Sequence, residues 1–171
     1  MDTPLGENIG NSMEVAEVVE LLKGNGKEDL LEVCLALASN MLYLAKNKGT
    51  ETVSLETCKK MAEQAITDGA ALKKLIAMVQ AQHGDTSVIE DTGKFAKADY
   101  YYDVVALHSG YITHIDTAKC GIASMILGAG RETKESEIDF AAGIKIAKKT
   151  GDKVEVGDTL VTLYSNHYEG I

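Results

Sequence analysis

The chain has 171 residues, 45% of them hydrophobic and 25% charged, and carries a formal net charge of −9. That length and balance suit one moderate core or two small ones and exclude a disordered, fibrous or membrane-embedded chain. The acidic balance argues against nucleic acid as a partner, because phosphate backbones are bound by clustered Lys and Arg, so an anionic ligand would need a local basic site.

No apolar run approaches the roughly 20 residues that a membrane helix needs. Nor does the N-terminus show a basic region followed by an apolar stretch, so a cytoplasmic location and no membrane partner are the expectation. Cys34, Cys58 and Cys120 are odd in number and widely spaced. They are expected to be free thiols packed in the core rather than disulfides or metal ligands.

In chain order, residues 2–15, DTPLGENIGNSMEV, come first. This stretch holds the only proline and two glycines, directly against the start of an amphipathic helix. A chain opening on so specialised a loop is expected to be part of something longer. Asp2, Thr3 and Pro4 read as a turn, Gly6 and Gly10 permit unusual backbone angles, and Asn11 with Glu14 resembles a capping box. Val15, Val18, Val19 and Leu22 mark a helix face that ends near Gly24. A longer helix follows from Leu30 to Ala45, stopping before Gly49, with an apolar stripe wide enough to be buried. Ser54 is expected to cap a third helix through Ile66, interrupted by Asp68 and Gly69. A fourth runs from Leu72 to Val79 and ends near Gly84.

His83 and Asp85 offer an acid–base pair, but a helix stop is the better reading: Gly84 terminates the helix and His83 suits its dipole. Residues 85–98 read as a connector. After about residue 99 the apolar spacing turns strand-like. Val104–Leu107 and Tyr111–Ile115 are expected strands about a turn at Ser109 and Gly110, and Asp116 caps a short helix. Gly128-Ala129-Gly130-Arg131 suggests phosphate binding. Phosphate loops place their glycines before a helix, however, and here the order is reversed, so a helix stop is expected.

In GIKIAKKTGDKVEVGDTLVTLYS, apolar positions alternate through Ile144, Ile146, Val154, Val156, Leu160, Val161 and Leu163, and Gly151-Asp152 and Gly157-Asp158 supply turns. A small antiparallel sandwich or barrel is expected. The pattern resembles the hammerhead of lipoyl and biotinyl carrier domains, which makes a carrier one alternative and a non-catalytic interaction module another. Carriers usually present their lysine within Met-Lys-Met or Asp-Lys-Ala, and neither occurs. Lys145, Lys148, Lys149 and Lys153 therefore read as solvated charges at strand edges.

Taken together, PLGENIGNSMEV with its helix pair, then LGAGR, then IDFAAGIKIAKKTGDKVEVGDTL closely resemble the C-terminal portion of pyrimidine-nucleoside phosphorylase and its relative thymidine phosphorylase. The resemblance runs from Met1 essentially to the last residue, in proteins that are much longer. It implies an α+β fragment of a mixed α/β lobe: a helical part over residues 1–98 and an antiparallel β-rich barrel-sandwich domain over residues 99–171. It also implies a dimeric enzyme that exchanges the base of a pyrimidine nucleoside for phosphate, giving a free base and a pentose 1-phosphate. The family's phosphate and base sites belong to an upstream part, so the resemblance places no complete catalytic site here. It does imply part of a potassium site, with main-chain carbonyls of Leu5 and Asn8 and the carboxylate of Glu17 as ligands. Such an oxygen set suits a hard cation.

Overall fold

The computed structural model describes residues 3–48, 52–131 and 133–168. Asp2 and Gly49, assigned above to a turn and a helix stop, lie outside them. The N-terminal loop leads into a two-residue strand, β1 (Asn8–Ile9), and then helix α1 (Asn11–Glu20). Asn11 and Glu14 do not form the expected capping box. Glu14 Oε1 accepts the Gly10 N–H at 3.0 Å, one residue earlier, and Asn11 Nδ2 donates to the Ala129 carbonyl at 2.8 Å. A wide turn over Leu21–Asn25 closes the helix, with Gly24 at φ 89°.

Helices α2 (Glu28–Lys46), α3 (Leu55–Thr67) and α4 (Ala70–Ala81) follow. Ser54 caps α3 as expected, accepting the Thr57 N–H at 3.1 Å. At the end of α4 it is His83, not Gly84, that takes the left-handed conformation, at φ 60°. The Gly84 N–H reaches back to the Val79 carbonyl at 2.9 Å and the His83 N–H to the Gln80 carbonyl at 3.0 Å, the paired bonds of a Schellman ending. The connector is not featureless: it contains one turn of α-helix, α5 (Ser87–Glu90), which buries Ile89, and a 3-10 turn at Thr92–Lys94.

Strand β2 (Tyr100–Val105) begins earlier than the apolar spacing suggests, β3 is only Gly110–Tyr111, and α6 (Thr117–Ser124) is capped by Asp116, which accepts the Lys119 N–H at 3.1 Å. Strands β4 (Gly143–Ile146), β5 (Lys153–Val154) and β6 (Thr159–Ser165) complete the described fold. The architecture is α+β with antiparallel sheets. One sheet has the order β1-β4-β6-β2, and β3 pairs with β5 in a separate ribbon. Among the described residues these sheets do not close into the expected barrel, since β5 pairs with β3 rather than extending the larger sheet.

Two six-residue-spaced turns draw β5 to that partner. In each, a left-handed glycine, Gly151 (φ 97°) or Gly157 (φ 91°), precedes an aspartate. The Asp152 carboxylate accepts the Lys149 N–H at 2.7 Å, and the Asp158 carboxylate accepts the Glu155 N–H at 3.1 Å. The glycine N–H groups donate to the Ile112 and Ala106 carbonyls, whose own amides donate back to the Asp152 and Asp158 carbonyls. A residue with a Cβ could not adopt those glycine angles without strain. Val156, between the turns, is exposed rather than in the core.

The chain divides into two compact units, Met1–Glu17 with Lys94–Ile171, and Val18–Gly93. The division falls inside α1, so the opening loop groups with the β-rich part rather than with the helices. In the first unit Leu127, Ala142, Ile144 and Ile146 form the core. The carbonyls that α6 and its closing turn leave open are satisfied in succession: Leu127 by Ser165 Oγ at 2.7 Å, Gly128 by the Asp139 N–H at 2.9 Å, and Ala129 by Asn11. In the second unit α2 packs along α3, burying Leu35 and Ser39 against Cys58 and Ala62. The wide α2 stripe is only partly covered; Leu37, Met41 and Leu44 are exposed.

Candidate functional site

The N-terminal loop is folded around one carboxylate. Gly6 takes a left-handed conformation at φ 68°, and a Cβ there would lie 2.5 Å from Glu17 Oε2. Only glycine lets the loop approach so closely. Glu17 Oε1 accepts the Glu7 N–H at 2.7 Å and Oε2 accepts the Asn8 N–H at 3.3 Å. The next turn of chain is fixed by Ser12, whose N–H and Oγ both donate to the Phe140 carbonyl, at 3.2 and 2.6 Å.

The register of β1 adds a direction. Asn8 stands opposite Lys145 and Ile9 opposite Ile144, while the Ile146 N–H donates to the Glu7 carbonyl at 2.6 Å. Ladder bonds in an antiparallel pair alternate, so Glu7 and Ile9 bond toward β4 and both main-chain groups of Asn8 face the opposite edge, where Glu17 lies. Asn8 and Glu17 are thus brought together, and Leu5 immediately precedes the glycine that covers the carboxylate. Two further features of the loop escaped the sequence. Thr3 Oγ1 is buried and has no hydrogen-bond partner among the described residues. Lys149 Nζ donates to the Pro4 carbonyl at 3.4 Å, so this half-buried lysine is not simply a solvated charge.

Chemically the cluster offers hard oxygen. Each Glu17 oxygen uses one lone pair on an amide and retains acceptor capacity, and carbonyl oxygens have two lone pairs each. Among the described residues no three His, Cys, Asp or Glu side chains gather as a metal-binding group. A cation here would rest on Glu17 and main-chain oxygens, a donor set that fits a large, weakly demanding ion better than zinc.

Residues 111–170 match the family model described as "Pyrimidine nucleoside phosphorylase C-terminal domain". Over 166 residues, 97% of its length, the chain is 46% identical to pyrimidine-nucleoside phosphorylases of Geobacillus stearothermophilus and of Bacillus subtilis (strain 168). A Staphylococcus aureus (strain USA300) pyrimidine-nucleoside phosphorylase is 43% identical over 169 residues. The chain belongs to the pyrimidine-nucleoside phosphorylase family. It corresponds to the C-terminal part of these relatives, spanning 37–38% of their length.

Elsewhere in this phosphorylase-family chain, the other candidate sites dissolve into structure. Asp85 accepts the Ser87 N–H at 2.8 Å, and His83 belongs to a helix ending. Gly128, at φ 111°, terminates the turn after α6, and Gly130 packs so closely on Met125 that a Cβ would lie 3.2 Å away. Arg131 is exposed beyond them. Lys148 pairs with Asp158 at 3.1 Å and Lys153 with Glu155 at 3.6 Å. The three cysteines are free; burial pushes the Cys34 and Cys120 thiols up, which disfavours the nucleophilic thiolate. No helix among the described residues is long and apolar enough to cross a membrane.

Proposed function

We propose that the chain acts as the C-terminal part of a pyrimidine-nucleoside phosphorylase, a pentosyltransferase that cleaves pyrimidine nucleosides or deoxynucleosides with phosphate to free base and pentose 1-phosphate. The observation that carries this reading is the similarity to pyrimidine-nucleoside phosphorylases along 97% of the chain. Catalytic groups would come from the upstream part of such an enzyme, a cytoplasmic homodimer. In the hammerhead-type reading of the C-terminal domain, the paired Gly-Asp turns are its corners.

In this proposal Leu5, Asn8 and Glu17 hold one side of a potassium ion. Glu17 bends toward the loop, and Asn8 turns its carbonyl to the same edge. Potassium would supply a positive charge joining this loop to the upstream phosphate-binding segment. The chain's own contribution is to pre-shape that half-site: Gly6 permits the approach, and the Glu7 and Asn8 amides orient the carboxylate.

The test is phosphorolysis of uridine and thymidine, measured with and without potassium. The 171-residue chain alone should be inactive. Joined to the upstream part of a phosphorylase, it should be active and stimulated by potassium, and Glu17→Gln should abolish most of that stimulation. Turnover by the chain alone would overturn the proposal, as would an active enzyme indifferent to both potassium and Glu17→Gln for the cation half-site.

A further inference from the structure

Helix α2 is apolar nearly all round, through Leu30, Leu31, Val33, Leu35, Leu37, Met41, Leu42 and Leu44. A helix of that kind is ordinarily buried on every side. Among the described residues of Val18–Gly93 its main packing partner is α3. Leu37, Met41 and Leu44 are 62%, 70% and 66% exposed, and their i, i+4, i+7 spacing puts them on one stripe. Beside that stripe runs an open groove of about 720 Å³, floored by Leu21, Cys34, Ala38, Met41, Met61 and Ile66. Its lining is almost wholly carbon, and an exposed apolar surface of this kind on a soluble domain marks an interaction site.

We infer that the α2 stripe and its groove are the docking face for the part of a pyrimidine-nucleoside phosphorylase that this chain does not span. The inference rests on the proposed function and adds the surface through which it works. Two observations select this occupant over a second copy of the chain. The similarity to the relatives extends over 97% of the chain and so includes α2, and in those relatives the matching segment is 37% of a larger protein. The sequence of α2 is therefore one that exists alongside a larger polypeptide, and its uncovered side needs an apolar partner of that size. Such an occupant would present apolar side chains at helical or strand spacing to fill the groove.

The experiment co-expresses the full 171-residue chain with the remaining N-terminal part of the Geobacillus stearothermophilus enzyme and measures co-purification, hydrogen exchange and phosphorolysis. The two parts are expected to co-purify, with residues 35–46 gaining protection. Met41→Glu and Leu44→Glu should weaken association about tenfold or more, because centrally buried anchors dominate binding. Tyr101→Ser, an exposed β2 position in the other unit, should not. Unchanged circular dichroism of each variant alone would show that the helix survives, as expected for exposed positions. Association with α2 still exchanging freely, or no association, overturns the inference. Protection of α2 in the chain alone, with concentration-dependent dimers in sedimentation, overturns it in favour of a second copy. A stable complex lacking phosphorolysis would instead count against the proposed function while leaving the docking face in place.

Discussion

In the unit built from Met1–Glu17 and Lys94–Ile171, polar side chains join segments far apart in sequence: Asn11 reaches Ala129, 118 residues on, and Ser12 reaches Phe140, 128 residues on. In Val18–Gly93 the corresponding bonds are local. Ser39 back-bonds to Leu35, Ser54 caps its own helix, and Asn47 ties to Val53 within six residues. The first unit is thus specified by directional ties around a small core, the second by apolar contact between helices whose outer surface stays open. Directional ties fix a unique arrangement without help. Apolar faces alone leave room for further partners, which is why the candidate half-site lies in one unit and the candidate docking face in the other.

The hardest way to break this comparison is at the crossing of β1 and β4. A Cβ on Gly143 would collide with the Ile9 carbonyl and lie 2.9 Å from Met13 Sδ. The collision is with backbone, which cannot rotate away. Gly143→Ala should destabilise the first unit by about 2–3 kcal/mol, as overpacking does. It should leave the helices of Val18–Gly93 protected, as read by urea unfolding with hydrogen exchange. Gly121→Ala is the control, because nothing lies within 4 Å of its added Cβ. In the helix interior it should be neutral or stabilising by up to about 1 kcal/mol. Equal unfolding midpoints for the two variants would remove the claim that close backbone approach organises this unit.

Legibility in the sequence followed the range of the interaction. Ser54 and Asp116 could be read as caps, and Gly151 and Gly157 as turns, because a cap or turn is decided within four residues. β1 could not. Two residues have no periodicity, and their pairing partner lies more than a hundred residues away. The apolar spacing places the start of β2 four residues late, because Tyr100, Tyr101 and Tyr102 present no alternation between apolar and polar. By local sequence Asn11 reads as a cap, since the Ala129 carbonyl it bonds is invisible locally. Taken alone, Glu17 is an ordinary helix glutamate; the family resemblance singled it out, and Gly6 was the one local hint that something lay beneath the loop. Lys149 carries no signal separating a lysine on a carbonyl from one in water.

A smaller effect sharpens the other side of the comparison. His83 occupies the left-handed position that ends α4, where a Cβ costs about 1–2 kcal/mol relative to glycine. Part of that gain is returned, because glycine has more freedom in the unfolded chain. His83→Gly should therefore stabilise Val18–Gly93 by a net of about 0.5–1 kcal/mol. Raised protection in α4, with β4 and β6 unchanged, is the expected readout. Destabilisation would mean that the imidazole makes a contact worth more than the strain.

The smallest expected effect concerns a single turn of the first unit. The Glu155 amide and then the Lys148 ammonium hold the Asp158 carboxyl below the usual carboxylate range. Because its folded value is depressed relative to the unfolded chain, ionisation favours the folded state above the unfolded value, and that advantage is lost as pH falls through the folded value. Asp158→Asn removes the ionisable group while keeping an oxygen for the Glu155 amide. The wild-type chain should therefore melt slightly higher than Asp158→Asn at about pH 6, and the difference should shrink as the pH falls below about 4. Added salt should reduce the part due to Lys148 and spare the part due to the amide, since exposed pairs are screened and a hydrogen bond within the turn is not. A difference that persists unchanged into acid would assign the turn's stability to the geometry that Gly157 permits rather than to the charge on Asp158.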